Sequence, residues 1–99
     1  MPYEKINNME IAAGQVWKNI TTGDLFIILE HDAKSAICAI VVPEVAKASE
    51  YPQLRMPIEK LRSWGNRGFV YERKHKGKLP AVHDTIGTYN VRHVGYGAR

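Results

Sequence analysis

Two short stretches of this chain, Leu25–Leu29 and Ala36–Val42, lack polar residues, and they constrain the fold more than any other feature. Turn-forming segments bound them: Thr21–Asp24 precedes the first, His31–Ser35 separates the two, and Pro43 follows the second. Short apolar runs rich in β-branched residues and bounded by turns predict strands. Because these strands are apolar on both sides, both faces of their sheet must be buried. We therefore expect the second face to be covered by the C-terminal segment, the N-terminal segment or another subunit.

The segment before these strands has an alternating pattern. In Gly14–Ile20, Val16 and Lys18 share one side of an extended chain and Trp17 lies on the other. This alternation predicts a strand, and the polar turn Thr21–Asp24 joins it to the next strand as a hairpin.

The same kinds of pattern place the remaining elements. Strands are predicted, in mainly antiparallel order, at residues 15–20, 25–30, 36–42, 54–57 and 69–73. Pro57–Leu61 is expected to form a tight helical turn, and Glu44–Glu50 either helical turns or a surface loop. Thr88–Val94 has the composition of an edge strand. The predicted core consists of Val16, Leu25, Ile27, Leu29, Ile37, Ile40, Leu61 and Phe69.

A group of residues spread over this region matches a known small fold. They are Gly14, Val16 and Trp17, then Gly23 and Phe26, and finally the Pro57–Leu61 turn ahead of Phe69–Tyr71. Over about residues 13–73 the chain thus resembles the SH3-like small β-barrel superfamily, including KOW-type and related bacterial and phage domains. The resemblance implies an all-β, five-stranded barrel and a non-catalytic module that binds RNA, DNA or protein. It divides the chain into a lead-in segment (1–13), a barrel (14–73) and a basic C-terminal arm (74–99).

Charge is distributed unevenly along the chain. Residues 1–61 carry 6 Lys/Arg against 8 Asp/Glu, whereas residues 62–99 carry 8 Lys/Arg against 2 Asp/Glu. A basic end on a near-neutral body is typical of a protein that meets a polyanion or an acidic partner surface through one region. The pattern indicates a class of partner and no particular activity.

The basic residues concentrate where the last predicted strand ends. The candidate nucleic-acid-binding residues are Trp64, Arg67, Arg73, Lys74, Lys76 and Lys78. Such cations can neutralise phosphates, and a neighbouring aromatic ring can stack on an exposed base. Two alternatives remain open: the cations keep the protein in solution while the aromatic residues fill the core, or they contact an acidic protein surface.

The C-terminal arm contains more aromatic and β-branched residues than a solvated linker. Tyr89, Val91, Val94 and Tyr96 are the candidate partner-docking residues, either on the chain's own barrel or across a homodimer. This feature supports a second hypothesis, in which the chain is an accessory or assembly protein of phage or mobile-element type whose arm docks on a protein partner.

Catalytic and metal-binding patterns are weak. The dipeptides His31-Asp32 and His83-Asp84, with His75, His93 and Cys38, do not have the spacing of zinc ligands. Cys38 lies among apolar residues, which favours a buried, inert thiol. There is no phosphate-binding glycine loop of the Walker type and no GxSxG motif. We therefore expect a non-enzymatic protein that needs no metal or cofactor.

Two further observations bear on location. A single cysteine precludes an intrachain disulfide, and the first residues lack the pattern of a secretory signal. The longest apolar runs are far shorter than the roughly 18 residues that a membrane helix requires. These observations predict a cytoplasmic protein.

Overall fold

The structure, a computed structural model, describes residues 10–62 and 68–88. These ranges contain six strands: β1 (Gln15–Asn19), β2 (Leu25–His31), β3 (Ser35–Ile40), β4 (Gln53–Pro57), β5 (Phe69–Lys74) and β6 (Gly87–Thr88). A helical turn, α1 (Ile58–Arg62), lies between β4 and β5, and a 3-10 turn spans Ala48–Glu50. The five predicted strands and the helical turn before the fifth are confirmed. Of the predicted Glu44–Glu50 element, only the final three residues are helical.

The six strands form one sheet in the order β5-β1-β2-β3-β4-β6. All neighbouring pairs are antiparallel except β4 and β6, which are parallel. The all-β prediction is confirmed. The five-stranded barrel is not, because a sixth strand is added beyond β4 and the sheet is open and mixed. Of the edge strand predicted at Thr88–Val94, the structure describes only Thr88, which belongs to β6.

Side-chain hydrogen bonds close both hairpins locally. Asn19 Oδ1 accepts from the backbone N–H groups of Thr21 and Thr22 at 2.8 and 3.0 Å, and the turn ends at Gly23, whose φ is +82°. In the second turn, Asp32 Oδ1 accepts from the backbone N–H groups of Lys34 and Ser35, both at 2.8 Å. Short polar side chains that bond to the following backbone favour turns over continued strand.

One face of the sheet is covered by α1 and the segment preceding β1, and we call it the helix face. Its buried cluster comprises Ile11, Trp17, Phe26, Ile28, Ala36, Cys38, Ile40, Leu54, Met56, Leu61 and Phe69. Leu61 supplies the fully buried side chain of α1, whose outer residues Glu59 and Lys60 are exposed. The ring of Phe26 meets that of Phe69 edge to face, with centroids 5.3 Å apart, which is a favoured aromatic arrangement.

The opposite face holds a second buried cluster: Val16, Ile27, Leu29, Ile37 and Ala39. Leu79, Val82 and Ile86 pack against it. They belong to the crossing segment, Leu79–Ile86, which links β5 to β6. Because β5 and β6 lie at opposite edges of the sheet, the chain between them must cross one face. We call this the crossover face.

The two-sided burial expected for β2 and β3 is therefore confirmed, and the chain itself supplies the cover. Seven of the eight predicted core residues are buried; the exception is Leu25, which is half-buried at the margin of the crossover face. Several of the largest buried side chains, including Trp17, Phe26, Ile28 and Met56, were not among the predicted core residues. They lie on the helix face.

Candidate nucleic-acid interface

The candidate basic residues within the described ranges lie where β5 ends and the chain turns towards the crossover face. β5 pairs with β1 in a register that shifts: Trp17 lies opposite Tyr71, whereas Val16 lies opposite Arg73. Glu72 is therefore the extra residue of a β-bulge. A bulge bends a strand and increases its twist, so the end of β5 is turned away from a regular ladder.

The end of β5 continues into a loop, and this region is held at both ends. We call Arg73–Lys78, the last two residues of β5 and the four residues after them, the basic loop. At its start, the backbone N–H of His75 donates to the carbonyl of Gly14 at 2.7 Å. At its end, Leu79 packs against the buried cluster of the crossover face. Between these anchors Gly77 has a φ of +90°, a conformation that glycine adopts without steric cost.

Four cations project from this short loop. Arg73, Lys74, Lys76 and Lys78 are all exposed. The only acidic residues in the whole stretch from 68 to 88 are Glu72 and Asp84. The structure thus brings together four of the six predicted nucleic-acid-binding residues on a loop anchored to the sheet. The other two, Trp64 and Arg67, lie outside the described residues.

The aromatic residues near this loop have structural roles. Phe69 is almost fully buried against Phe26. Tyr71 is half-buried, and its ring lies edge to face with that of Trp17 at a centroid distance of 6.1 Å. Phe69 is therefore a core residue and offers no surface on which a base could stack.

The helix face also contains a polar anchor next to the basic loop. Gln15 is buried, and its Oε1 accepts from Trp17 Nε1 at 2.9 Å and from the backbone N–H of Ala12 at 3.1 Å. Its Nε2 donates to the carbonyl of Glu10 at 2.8 Å. In the β1–β5 register Gln15 lies opposite Lys74, so this bonded cluster holds the backbone to which the basic loop is attached.

The crossing segment is held by a second buried amide. Gln53 Nε2 donates to the carbonyl of Ala81 at 2.8 Å, and its Oε1 accepts from the backbone N–H of His83 at 2.7 Å. The His83 ring adds a bond between Nε2 and the carbonyl of Ser49 at 2.8 Å. Sequence reasoning missed both glutamines. They could have been found as polar residues within an otherwise apolar strand pattern, because a polar residue that is buried requires a hydrogen-bonding partner.

Within the described part of the chain, the histidines and Cys38 do not converge on a metal site. Within the described ranges no three His, Cys, Asp or Glu side chains come close enough to hold an ion. Asp32 serves the β2–β3 turn, and hydrogen bonds from the Ser35 and Lys34 backbone hold the pKa of its carboxyl below the ordinary value. Burial raises the pKa of the Cys38 thiol to about 12, as expected for an inert core thiol. His93 lies outside the described residues.

A shallow groove opens at the opposite end of β2 from the Asp32 turn. It has a volume of about 390 Å³ and is lined by Gly23, Asp24, Leu25, Val41, Val42, Pro43 and Glu44. Leu25 and Val41 pack at the margin of the crossover-face cluster. The groove is therefore lined by apolar residues together with two acidic ones, Asp24 and Glu44.

The candidate docking residues Tyr89, Val91, Val94 and Tyr96 lie outside the described residues, so docking through them stays a prediction. In the described part of the chain, no helix has the length and apolarity needed to cross a bilayer. Comparison of the chain with protein-family models, with curated proteins and with solved structures found no match.

Proposed function

We propose that this chain is a non-enzymatic nucleic-acid-binding protein that contacts phosphates through the basic loop. The observation that carries the proposal is the exposure of Arg73, Lys74, Lys76 and Lys78 on one anchored loop. Each cation that meets a phosphate releases condensed counterions, so several neighbouring cations bind a polyanion strongly at low salt. Anchoring lowers the conformational entropy that the loop loses on binding.

The fold proposed for this module is SH3-like. Two observations support it: β1 to β5 are short antiparallel strands with tight turns between β1 and β2 and between β2 and β3, and a helical turn precedes β5. In this proposal β6 and the crossing segment are additions to the five-stranded unit. Small barrels of this kind bind varied partners, so the choice of nucleic acid rests on the charge of the basic loop and not on the fold.

Charge reversal in the basic loop tests the proposal. The variant K76E/K78E should lose most of its affinity for a fluorescein-labelled 20-nucleotide single strand and for the matching duplex in 50 mM salt. Wild-type affinity should fall steeply as the salt concentration rises. The matched control is K34E/K47E, which changes net charge equally at two exposed lysines elsewhere.

The two variants separate local contacts from net charge. Equal loss in both would show that binding depends only on the overall charge of the protein. An absence of wild-type binding to either probe at low salt would reject the proposed function.

A further inference from the structure

The crossover face is not covered evenly. The crossing segment packs against residues of β1, β2 and β3. At the β1–β5 margin of the same face, Lys18 is exposed, although its neighbours on either side in β1 are buried. An exposed lysine in the middle of a central strand requires that nothing in the described structure covers that position.

The strand register places Lys18 on the same side as Arg73. Residues directly opposite one another in a sheet share a face, and so do residues two apart along a strand. Arg73 lies opposite Val16, which is buried on the crossover face, and Lys18 is two residues along β1 from Val16. Lys18 and Arg73 therefore share the crossover face, on neighbouring strands and on either side of the bulge at Glu72.

The surroundings of Lys18 suit a nucleic-acid backbone. Its two cross-strand neighbours are Val70 on β5 and Leu25 on β2, both half-buried and uncharged. Beyond Leu25 lies the groove that carries Asp24 and Glu44, whose carboxylates would repel phosphates. Positively charged residues thus extend from the basic loop, at Arg73, to Lys18, and the acidic groove lies beyond them.

We propose that Lys18 is a phosphate-contacting residue, and that the bound nucleic acid lies across the β1–β5 margin of the crossover face from the basic loop to Lys18. The inference rests on the proposed function and extends it by giving the bound strand a path. Regularly spaced backbone charge makes a nucleic acid the polyanion best matched to cations set along a strand and loop.

The test uses the full chain and the same labelled single strand and duplex. Lys18→Gln should lower the magnitude of the slope of log affinity against log salt by about 0.7 on the single strand and about 0.9 on the duplex, the values for one lost phosphate contact. Lys18→Arg keeps the charge and should keep the wild-type slope. Lys47→Gln, at another exposed lysine, is the control for loss of one charge. Circular dichroism and thermal unfolding of each variant establish that the fold is intact.

The outcomes are distinct. A reduced slope in Lys18→Gln alone, restored in Lys18→Arg, supports the proposed path. If Lys18→Gln has the same slope as Lys47→Gln while K76E/K78E loses binding, the role of Lys18 is overturned. The proposed function then still stands. Failure of the wild type to bind either probe overturns both.

Discussion

Gln53 and His83, thirty positions apart in the chain, are joined by a 2.7 Å hydrogen bond from the backbone N–H of His83 to Gln53 Oε1. The same amide donates through Nε2 to the carbonyl of Ala81. Gln53 is only 7% exposed, whereas Ala81 is exposed and His83 is half-buried, so the two bonds join the core to the surface of the protein. This one side chain therefore fixes where the crossing segment lies on β4.

Replacing Gln53 by leucine should lower the free energy of unfolding by about 1–3 kcal/mol, because two hydrogen bonds that each contribute about 0.5–1.5 kcal/mol are lost. Denaturant unfolding measures the change, and hydrogen exchange should show a more exposed His83 amide. Arg55→Ala, at an exposed position on the same strand, is the control and should change stability little. Wild-type stability in Gln53→Leu would contradict the anchoring role of the amide.

Gly77 should be intolerant of a side chain even though there is space for one. No atom lies within 4 Å of the position that its Cβ would occupy, so any effect must come from its φ of +90°. We expect Gly77→Ala to cost about 1 kcal/mol or more and to weaken nucleic-acid binding by redirecting the basic loop. Gly87→Ala is the matched control, because it has equal space without a positive φ. Indistinguishable thermal unfolding and affinity in the two variants would argue against a loop shaped by Gly77.

Cys38 should be unreactive in the folded protein. Its side chain is fully buried on the helix face, and burial raises the pKa of the thiol to about 12 from an ordinary value of 9.0. A thiol reagent at pH 8 should label the chain only after denaturant is added. Rapid labelling of the native protein would place Cys38 at an accessible site.

The same shift makes stability depend on pH in one direction. The unfolded thiol ionises above pH 9 while the folded thiol stays protonated to about pH 12, so ionisation favours the unfolded state as pH rises. Between these values Cys38 should contribute a loss of about 1.4 kcal/mol per pH unit. Comparing the alkaline unfolding of wild type with that of Cys38→Ala isolates this contribution, and parallel pH profiles would show that it is absent.

Asp32 should make the β2–β3 turn sensitive to acid. Hydrogen bonds from the Ser35 and Lys34 backbone hold the pKa of its carboxyl below 3.8, so its stabilising effect is present above that value and is lost as pH falls through the lower folded pKa. Asp32→Asn removes the titration while keeping an acceptor oxygen. Below pH 4 the wild type should therefore lose more stability than the variant, and a carboxyl titration followed by NMR should show the low pKa directly. Equal acid sensitivity of the two proteins would contradict this assignment.

Local patterns predicted much of the fold because strands and turns are local. Alternation around Val16 and Trp17 assigned them to opposite faces, and the polar segments at Thr21–Asp24 and His31–Ser35 became hairpin turns. The alternation of side chains shows which residues share a face of the sheet, but it does not show which of the two faces has the larger core. The predicted core therefore omitted Trp17 and Phe26, whose face is the one that α1 covers.

The candidate site was predictable only where its residues are consecutive. The basic loop is a single run of sequence, so its charge could be recognised directly. Lys18 precedes Arg73 by more than fifty positions, and only the β1–β5 register brings the two onto one side of the sheet. Trp64 and Arg67 lie outside the described residues, so their part in the site stays a prediction.

By itself, the sequence determined that β2 and β3 must be buried on both faces, because their apolar runs leave no side suited to water. It also determined the turns and the concentration of positive charge after β5. The tertiary structure alone decided that Leu79, Val82 and Ile86 provide cover on the crossover face. This cover depends on β5 and β6 lying at opposite edges of the sheet. It also depends on the hydrogen bonds that join Gln53 to Ala81 and His83, which lie 28 and 30 positions further along the chain. Such long-range pairings follow from how the folded chain brings distant segments together, and no local pattern of residues encodes them.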